Sequence, residues 1–389
     1  MHLASLKNNK IIFTPRRLYF SFRSQNKSLR YGPMRKESLK FLETLVNTPT
    51  PAGFEAKGQR LWLDYVKQFA DIVETDAYGN ATATFNKGGS PRLMIAGHGD
   101  EIGLIVNYIS AEGYLYFRSI GGVSPGILKA QRVNIHTAKG PITGVIGSLP
   151  PHLADKSAEA TPPKLQDIFI DIGASSKKEA QSRVRIGDPI TLEGSFAQLT
   201  DEIMIARAFD NRAGSWIAAE TLRLLSKSEK KCNPEVIATS TVMEEIGSRG
   251  AMQIAYSVKP DIALVVDVTH ATDYPEVKQT THGEIRLGKG PTLTRGTCNH
   301  PLIFERLDQV AKDEKIPVQY EASSRSTGTD TDAIFTARGG IPSALVSIPN
   351  RYMHSPVEMI HMADLEAIPR LFAAFACSLK KGECFKVIP

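Results

Sequence analysis

The sequence predicts an α/β protein with a mixed, largely parallel sheet flanked by helices, into which a small β-barrel domain is inserted. Helical and strand-like segments alternate before and after a central stretch of the 389-residue chain, and these strand-like segments are continuously apolar, which is typical of buried parallel strands. Between residues 104 and 194, short runs rich in Val, Ile and Tyr are separated by Gly and Pro, and helical periodicity almost vanishes. We therefore expect an extension at 1–33, a first α/β part at 34–103, the inserted barrel at 104–194 and a second α/β part at 195–389.

The first α/β part predicts two helices followed by a strand. Apolar residues at helical spacing begin near Met34 and end at Val46, and the Pro and Gly residues at 49–53 predict a turn. A second helical pattern covers 61–69. The apolar run 93–96 then predicts the first strand of the sheet.

The central stretch predicts a barrel because its short runs contain the β-branched and aromatic residues that favour strands. These runs are 104–109, 114–117, 132–136, 142–146, 168–172 and 189–192. A polar, Pro-bearing loop is expected at 149–164.

After residue 196, helix and strand patterns alternate again. In the first helix, Ile217, Ala218 and Leu222 share one face, and Glu220 and Arg223 lie on the opposite face, which indicates packing against a sheet. The expected helices are 211–226, 248–256, 302–312 and 365–379, and the expected strands are 236–241, 262–266 and 343–348.

Composition and charge exclude several classes of protein. The chain is 42% hydrophobic and 23% charged, as expected for a soluble globular protein, and its longest apolar run near the C-terminus, 371–377, is far shorter than the roughly 18 residues needed to span a bilayer. The net charge is +6, but residues 1–33 carry seven Lys or Arg and no acid, so the remainder has a net charge of −1. We therefore expect neither a nucleic-acid partner nor a membrane partner.

The extension at 1–33 has two interpretations. It is basic, contains Ser and lacks acids, which is typical of an organelle-targeting peptide. Alternatively, it is sequence that precedes a true start at Met34, where the helical pattern opens. The four cysteines form no CxxC pair, which suits a reducing compartment, so we expect a cytoplasmic protein without structural disulfides and leave organelle targeting open.

Acidic and imidazole groups follow several predicted strands. The carboxyl ends of the strands in an open α/β sheet border the crevice where ligands bind, so groups distant in sequence can meet there. A lone Asp at such a place is usually a helix cap and an adjacent Glu pair is usually solvated, but capping alone does not readily explain so many such groups in one domain. The residues are His98, Asp100, Asp210, Glu244, Glu245, Asp267 and His354.

This set of residues predicts a two-metal hydrolytic site. Two His and several carboxylates suit Zn²⁺, Co²⁺ or Mn²⁺, and they are too many for one ion. Two ions bridged by one carboxylate can activate water for attack on a carbonyl, and an unligated Glu is then needed to carry the proton. Glu244 and Glu245 provide one base and one ligand, and the residues alone do not decide which is which.

Other candidate sites are weaker. Residues 122–126 fit the GxSxG pattern of serine hydrolases, but Pro125 has no N–H to offer an oxyanion. His270, His282 and His300 follow the acidic groups and could approach a substrate, although a structural role is expected for each. The stretch 326–332 is either a cleft wall or a capped loop.

Five segments together resemble the motif blocks of the tetrahedral dinuclear metalloaminopeptidases. This family includes leucyl, glutamyl and lysyl aminopeptidases, and some members have been labelled endoglucanase M. The resemblance extends from about Met34 to the C-terminus. The segments are AGHGDEIG at 96–103, AFDNRAG at 208–214, TVMEEIGSRGA at 241–251, VVDVTH at 265–270 and NRYMHSPVEM at 350–359.

The resemblance implies a role for each candidate metal ligand. Asp210 would bridge two divalent ions, Zn²⁺ or Co²⁺. His98 and Asp267 would complete one site, and Glu245 and His354 would complete the other.

The resemblance also implies the remaining roles and the activity. Glu244 would be the general base, and Asp100 would hydrogen-bond the His98 imidazole and fix its tautomer. The protein would have a zinc-peptidase-like catalytic domain, would remove N-terminal residues from short peptides, and would form homo-oligomers in which dimers assemble into a dodecamer through the barrel.

Rival functions stay open at this point. A deblocking enzyme, deacylase or carboxypeptidase would use the same ligands on other amides. A glycosidase would place Glu244 and a second carboxylate beside a sugar bond and would need no metal. A non-enzymatic scaffold would tolerate loss of a ligand or of the base, and all of them are present.

Overall fold

The computed structural model describes residues 34–149, 152, 164–275 and 277–388, all of which belong to one structural unit. The extension at 1–33 and nearly all of the expected loop at 149–164 lie outside the described residues. In the described ranges, no helix is both long and apolar enough to cross a bilayer.

The helices follow the apolar periodicity closely. Near the N-terminal end of the described residues, α1 begins two residues after Met34, and the second expected helix begins five residues early and is followed by a 3₁₀ turn at Lys67–Phe69. In chain order the helices are α1 Lys36–Asn47, α2 Ala56–Val66, α3 Lys177–Arg183, α4 Phe209–Ser226, α5 Arg249–Val258, α6 Gln279–His282, α7 Pro301–Asp313, α8 Asp330–Phe335 and α9 Met362–Ser378.

The strands form one large sheet, one small sheet and one barrel. In chain order they are β1 Ile72–Thr75, β2 Ala81–Phe85, β3 Arg92–His98, β4 Gly103–Ile109, β5 Leu115–Ile120, β6 Arg132–Thr137, β7 Gly140–Ile146, β8 Phe169–Asp171, β9 Pro189–Leu192, β10 Ala197–Gln198, β11 Ile203–Ala206, β12 Glu235–Thr241, β13 Ile262–His270, β14 Thr292–Arg295, β15 Gln319–Ala322, β16 Ser343–Asn350 and β17 Glu358–His361.

The large sheet confirms the predicted mixed, largely parallel architecture. Its strand order is β1-β2-β12-β3-β13-β16-β14-β15, and the four central strands β12, β3, β13 and β16 are parallel to one another. Antiparallel pairing occurs toward the edges, where β2 pairs with β1 and β12, and β14 pairs with β16.

Helices cover both faces of the large sheet because side chains alternate along each strand. On β3, Leu93 and Ile95 pack with α4 and α9 in the larger core, and Met94 and Ala96 pack with α5 and α8 in a smaller one. A strand buried on both faces must be apolar throughout, which explains the continuous apolar runs of the sequence.

The predicted inserted barrel is present. Strands β4-β5-β8-β7-β6-β9 close on themselves with antiparallel pairing and enclose a separate core that includes Val106, Leu115, Ile135 and Ile170. The barrel stretch also contains α3, although helical periodicity is almost absent there. This helix is short, and its first turn is fixed by Ser176, whose side chain accepts a hydrogen bond from the Glu179 backbone N–H.

The sequence analysis missed the strands at the sheet edges and the small sheet β10-β11-β17. The edge strand β1 is only half-buried or exposed, with the sequence Ile-Val-Glu-Thr, so it lacks the continuous apolar run that marks a central strand. Strand β10 has two residues and β17 has four, and segments this short give no usable periodicity.

The strand register brings the expected site residues to one edge of the large sheet. His98, the last residue of β3, pairs with Thr241, the last residue of β12. Asp267 of β13 pairs with Ser347 of β16. The loops that carry Glu244 and His354 therefore leave the same carboxyl-terminal edge.

Candidate active site

Six of the seven expected site residues line one cavity of about 700 Å³ at the carboxyl edge of the sheet. The six are His98, Asp210, Glu244, Glu245, Asp267 and His354. The seventh, Asp100, is fully buried beside the cavity. The structure thus brings together residues that are separated by as many as 256 positions in the chain.

The first possible ion site contains His98, Asp210 and Asp267. His98 Nε2 lies 3.2 Å from Asp210 Oδ1 and 3.8 Å from Asp267 Oδ1. One donor atom from each of the three residues lies within 4.8 Å of the other two, so that a single cation can be reached by all three.

The second possible ion site contains Asp210, Glu245 and His354. His354 Nε2 lies 3.2 Å from Asp210 Oδ2 and 3.3 Å from Glu245 Oε2. Asp210 belongs to both groups, and its two carboxylate oxygens face different histidines. This is the arrangement that a carboxylate bridging two ions requires.

The electrostatics of the cluster fit divalent cations. Burial raises the pKa of the Glu245 and Asp267 carboxyls well above their usual values, and the Asp210 carboxylate raises both further. For Asp210, burial raises the pKa, but His354 and His98 outweigh this effect and hold it below its usual range. Glu245 Oε1 is buried and has no hydrogen-bond partner among the described residues. Bound cations relieve this crowding of acids, and the mixed imidazole and carboxylate donors suit Zn²⁺ or Co²⁺.

Glu244 lies beside both ion sites without belonging to either donor group. Its Oε2 is 3.8 Å from His98 Nε2, and its Oε1 accepts a 3.3 Å hydrogen bond from Ser248 Oγ. Burial raises the pKa of Glu244 to about 8, with further contributions from Asp330 and Asp210. An unligated carboxyl group with a raised pKa is suited to exchange protons near neutral pH.

Asp100 forms hydrogen bonds with the loop that follows β12 and not with the His98 imidazole. Its Oδ1 lies 3.4 Å from His98 Nδ1, but Nδ1 has no hydrogen-bond partner among the described residues. The two Asp100 oxygens instead accept the backbone N–H groups of Glu244 and Glu245, at 3.0 and 3.1 Å. Asp100 therefore fixes the loop that carries the candidate base Glu244 and the candidate ligand Glu245.

Sequence reasoning missed Glu358, a buried carboxylate that contacts two of the candidate ligands. It accepts the backbone N–H groups of Asp210 and His354. A signal was available, since Glu358 lies four residues after His354 within the segment 350–359.

The GxSxG segment contributes a backbone carbonyl group to the site and not the serine nucleophile that the serine-hydrolase pattern implies. Ser124 precedes a 3₁₀ turn at Pro125–Ile127, which is not the strand–turn–helix context of a nucleophile elbow. The carbonyl oxygen of Gly122 lies 2.9 Å from His354 Nδ1. The barrel thus contributes a backbone group that orients a candidate ligand.

Residues 326–332 combine both expected roles, because they form a capped loop that is also a cleft wall. Thr327, Gly328, Thr329 and Asp332 line the cavity. Asp332 accepts the backbone N–H groups of Thr327 and Gly328, so its carboxylate serves the loop.

The three other histidines are distributed differently. His270 lines the main cavity. His300 borders a separate cavity of about 330 Å³, and His282 lies in α6 and is not among the residues that line the main cavity.

An α/β sheet that carries two overlapping imidazole–carboxylate clusters at its carboxyl edge is typical of metal-dependent hydrolases. The chain belongs to the M42 glutamyl aminopeptidase family, whose model matches residues 79–371. The resemblance seen in the sequence motifs is thereby confirmed, and the protein is a peptidase of the aminopeptidase class.

Individual relatives agree with this assignment. A lysyl aminopeptidase of Pyrococcus furiosus is 37% identical over 343 residues, which cover 87% of this chain and 96% of the relative. A TET aminopeptidase from the marine sediment archaeon Thaumarchaeota archaeon SCGC AB-539-E09 has a TM-score of 0.84 and 36% identity, covering 88% of this chain and 96% of that one. The Pyrococcus horikoshii TET1 peptidase, which can assemble into a tetrahedron or a large octahedral shell, has a TM-score of 0.79 and 30% identity, covering 88% of this chain and all of that one.

Proposed function

We propose that this protein is a two-metal aminopeptidase that removes N-terminal residues from short peptides. The observation that carries the proposal is the position of Asp210, whose two oxygens each lie 3.2 Å from a different histidine. A carboxylate shared in this way by two donor groups supports a pair of ions rather than a single one.

The proposed ligands are those that the resemblance implies. Asp210 would bridge the two ions, His98 and Asp267 would complete one site, and Glu245 and His354 would complete the other. Zn²⁺ or Co²⁺ bound there would polarise the scissile carbonyl and make water a better nucleophile at neutral pH.

Glu244 is the proposed general base. It takes a proton from the attacking water and returns it to the leaving amine, and its raised pKa suits both transfers. Asp100 holds the backbone beneath Glu244, and the Ser248 hydroxyl orients its carboxylate. The chain's own residues therefore determine where the proton acceptor stands relative to the ion sites.

We further propose homo-oligomers, with dimers that assemble into a dodecamer through a barrel domain at 104–194, in a cytoplasmic protein. The relation to the Pyrococcus horikoshii peptidase supports assembly. A cluster of aromatic side chains on the barrel surface, Tyr108, Tyr114 and Phe169, also supports it, because their exposed fractions of 50%, 36% and 38% leave apolar area for a neighbour to cover.

The experiment is hydrolysis of a panel of aminoacyl-p-nitroanilides by the full chain, with EDTA, after Zn²⁺ or Co²⁺ is restored, and with Glu244→Gln. We expect metal-dependent release that the substitution lowers by at least about 100-fold. A variant that retains wild-type rates would remove Glu244 from the mechanism.

Adding N-acetylated substrates, peptides with free C-termini and aryl glycosides to the panel separates the rivals. Turnover only of N-acetylated substrates would indicate a deblocking enzyme or deacylase, and turnover only of C-terminal residues would indicate a carboxypeptidase. A glycosidase would instead cleave aryl glycosides in the presence of EDTA.

A further inference from the structure

We infer that Glu358 is a positioning residue that holds two ligands of the second ion site, Asp210 and His354, through their backbone amides. Glu358 Oε2 accepts the Asp210 N–H at 2.9 Å, and Oε1 accepts the His354 N–H at 3.1 Å. The inference rests on the proposed two-metal function, because it gives Glu358 a role only if these residues bind ions.

Neither amide belongs to a regular helix or strand that would fix it. Asp210 has φ −77° and ψ 105°, which are not helical values although the residue lies at the start of α4. His354 lies in the connection between β16 and β17 and has φ +60°, a left-handed value that non-glycine residues adopt at a cost of about 1–2 kcal/mol. A partner for each N–H is therefore needed to hold both backbones in place.

Glu358 itself is firmly placed. It is the first residue of β17, its register partner on β11 is Ala206, and its side chain is buried with an exposed fraction of 2%. Hydrogen bonds to a buried carboxylate are stronger than bonds between neutral groups. Glu358 therefore connects the small sheet to the backbones of both ligands.

A second buried carboxylate in the site also accepts two backbone N–H groups. Asp100, also buried, accepts the backbone N–H groups of Glu244 and Glu245. Two carboxylates from different elements thus hold the backbone amides of three candidate ligands and of the candidate base. This repetition favours a positioning role for Glu358 over an incidental contact.

Replacement by Gln isolates the role. A glutamine has nearly the same shape but only one acceptor oxygen, and its NH₂ group faces an N–H donor. One of the two bonds is lost in Glu358→Gln. Loss of the hydrogen bond to His354 would affect the second ion site alone. Loss of the hydrogen bond to Asp210 would affect the second site and also the shared carboxylate of Asp210. The other ligands of the first site, His98 and Asp267, do not contact Glu358.

The test is calorimetric titration of Zn²⁺ into the metal-free full chain, read as two binding affinities. We expect Glu358→Gln to weaken the binding of one of the two ions by about 10- to 100-fold, the usual effect of removing a group that orients a ligand, and to change the other affinity much less. Absorption of the Co²⁺-loaded protein gives the same answer spectroscopically, because one of the two sets of bands would need a higher Co²⁺ concentration to develop than in the wild type.

The matched control is Asp364→Asn. Asp364 is also a buried carboxylate that accepts two backbone N–H groups, those of Gly288 and Gly290, each at 2.7 Å, but it contacts none of the candidate ligands. We expect this variant to lower the melting temperature of the metal-free protein while both Zn²⁺ affinities stay at wild-type values. If Glu358→Gln does not fold, Glu358→Asp replaces it, because the shorter carboxylate reaches only one amide.

Three results would overturn the inference. Unchanged Zn²⁺ affinities in the Glu358 variant would remove the positioning role while leaving the two-metal function intact. Equal weakening of both ions would indicate a general structural effect. A wild-type chain that binds fewer than two ions would overturn the proposed function and this inference together.

Discussion

Glu101→Gln is expected to destabilise the fold severely, because Glu101 compensates two buried arginines beneath the site. Glu101 has an exposed fraction of 2%, and its carboxylate accepts Arg207 Nε at 2.6 Å, the Thr50 backbone N–H at 2.9 Å and a short bond from Arg212 Nη2. The glutamine would present an NH₂ group to at least one of these donors. Breaking a buried pair by neutralising one partner typically costs about 3–5 kcal/mol.

We expect the loss of unfolding free energy to lie in the upper part of this range because of the other bonds that Arg212 makes. Its Nη1 donates to the carbonyl oxygens of Leu45 and Val46 at 3.1 and 2.8 Å, in the last turn of α1, and its Nε donates to Thr50 Oγ1 at 2.8 Å. An arginine displaced from Glu101 would therefore also disturb the end of α1. The assay is urea unfolding followed by the fluorescence of Trp62 and Trp216, both of which are buried in the larger core.

The control is Glu43→Gln, which removes the partner of Lys40 in an exposed pair and should cost at most about 1 kcal/mol. A loss below about 1 kcal/mol in Glu101→Gln would refute the reasoning that this carboxylate is essential to the buried network.

The pH dependence gives the same prediction a second test. Burial raises the pKa of Glu101, but Arg207 and Arg212 outweigh burial and lower it below its ordinary value. A carboxyl whose pKa is lower in the folded state stabilises the fold above its unfolded pKa, about 4.3 for Glu, and loses this contribution as the pH falls toward the folded value. Glu101→Gln should therefore lose less stability than the wild type when the pH is lowered through this window.

Three further predictions concern the site. Ser248→Ala should lower kcat/KM by up to about 10-fold, because it removes the 3.3 Å bond to Glu244, and an unchanged kcat/KM would show that Ser248 does not orient the base. Neutral N-terminal residues should be cleaved faster than Glu or Lys. No described Lys or Arg lines the cavity to pair with a Glu side chain, and the Asp332 carboxylate is hydrogen-bonded to its own loop. A preference for a charged residue in the nitroanilide panel would contradict this prediction. Gly97→Ala should cost about 1–3 kcal/mol of unfolding free energy, because its Cβ would lie 2.4 Å from the Gly214 carbonyl carbon, and a wild-type unfolding midpoint would show that α4 shifts freely from β3.

The predictable parts of the site are those that strand ends determine. His98 and Asp267 could be found because each follows or ends an apolar run that buries a strand, and Asp210 could be found because it precedes a strong helical pattern. Glu358 could not be found in this way. It acts through the backbone amides of Asp210, 148 residues away, and of His354, four residues away, and a pattern of side-chain types does not show which amide a carboxylate will reach.

The edge strands were missed for a related reason. Periodicity reports burial, so it identifies β3, β12, β13 and β16, which are buried on both faces. The ends of the sheet are partly exposed and resemble loops in composition. The barrel was predictable because its short strands are rich in the β-branched and aromatic residues that favour strands and are separated by Gly and Pro.

Backbone strain next to the candidate ligands explains why buried carboxylates recur in this site. Ala208, Met243, Ser248 and His354 all have positive φ values between 51° and 60°, and each lies within three residues of a proposed ligand or is one. Such conformations persist only where the surroundings hold them. Side-chain packing fixes strands and helices but leaves the amides of these connections unpaired, and a carboxylate with two acceptor oxygens can pair two of them at once. Asp100 and Glu358 each do this, so we expect the donor atoms to be held near their observed positions before any ion binds.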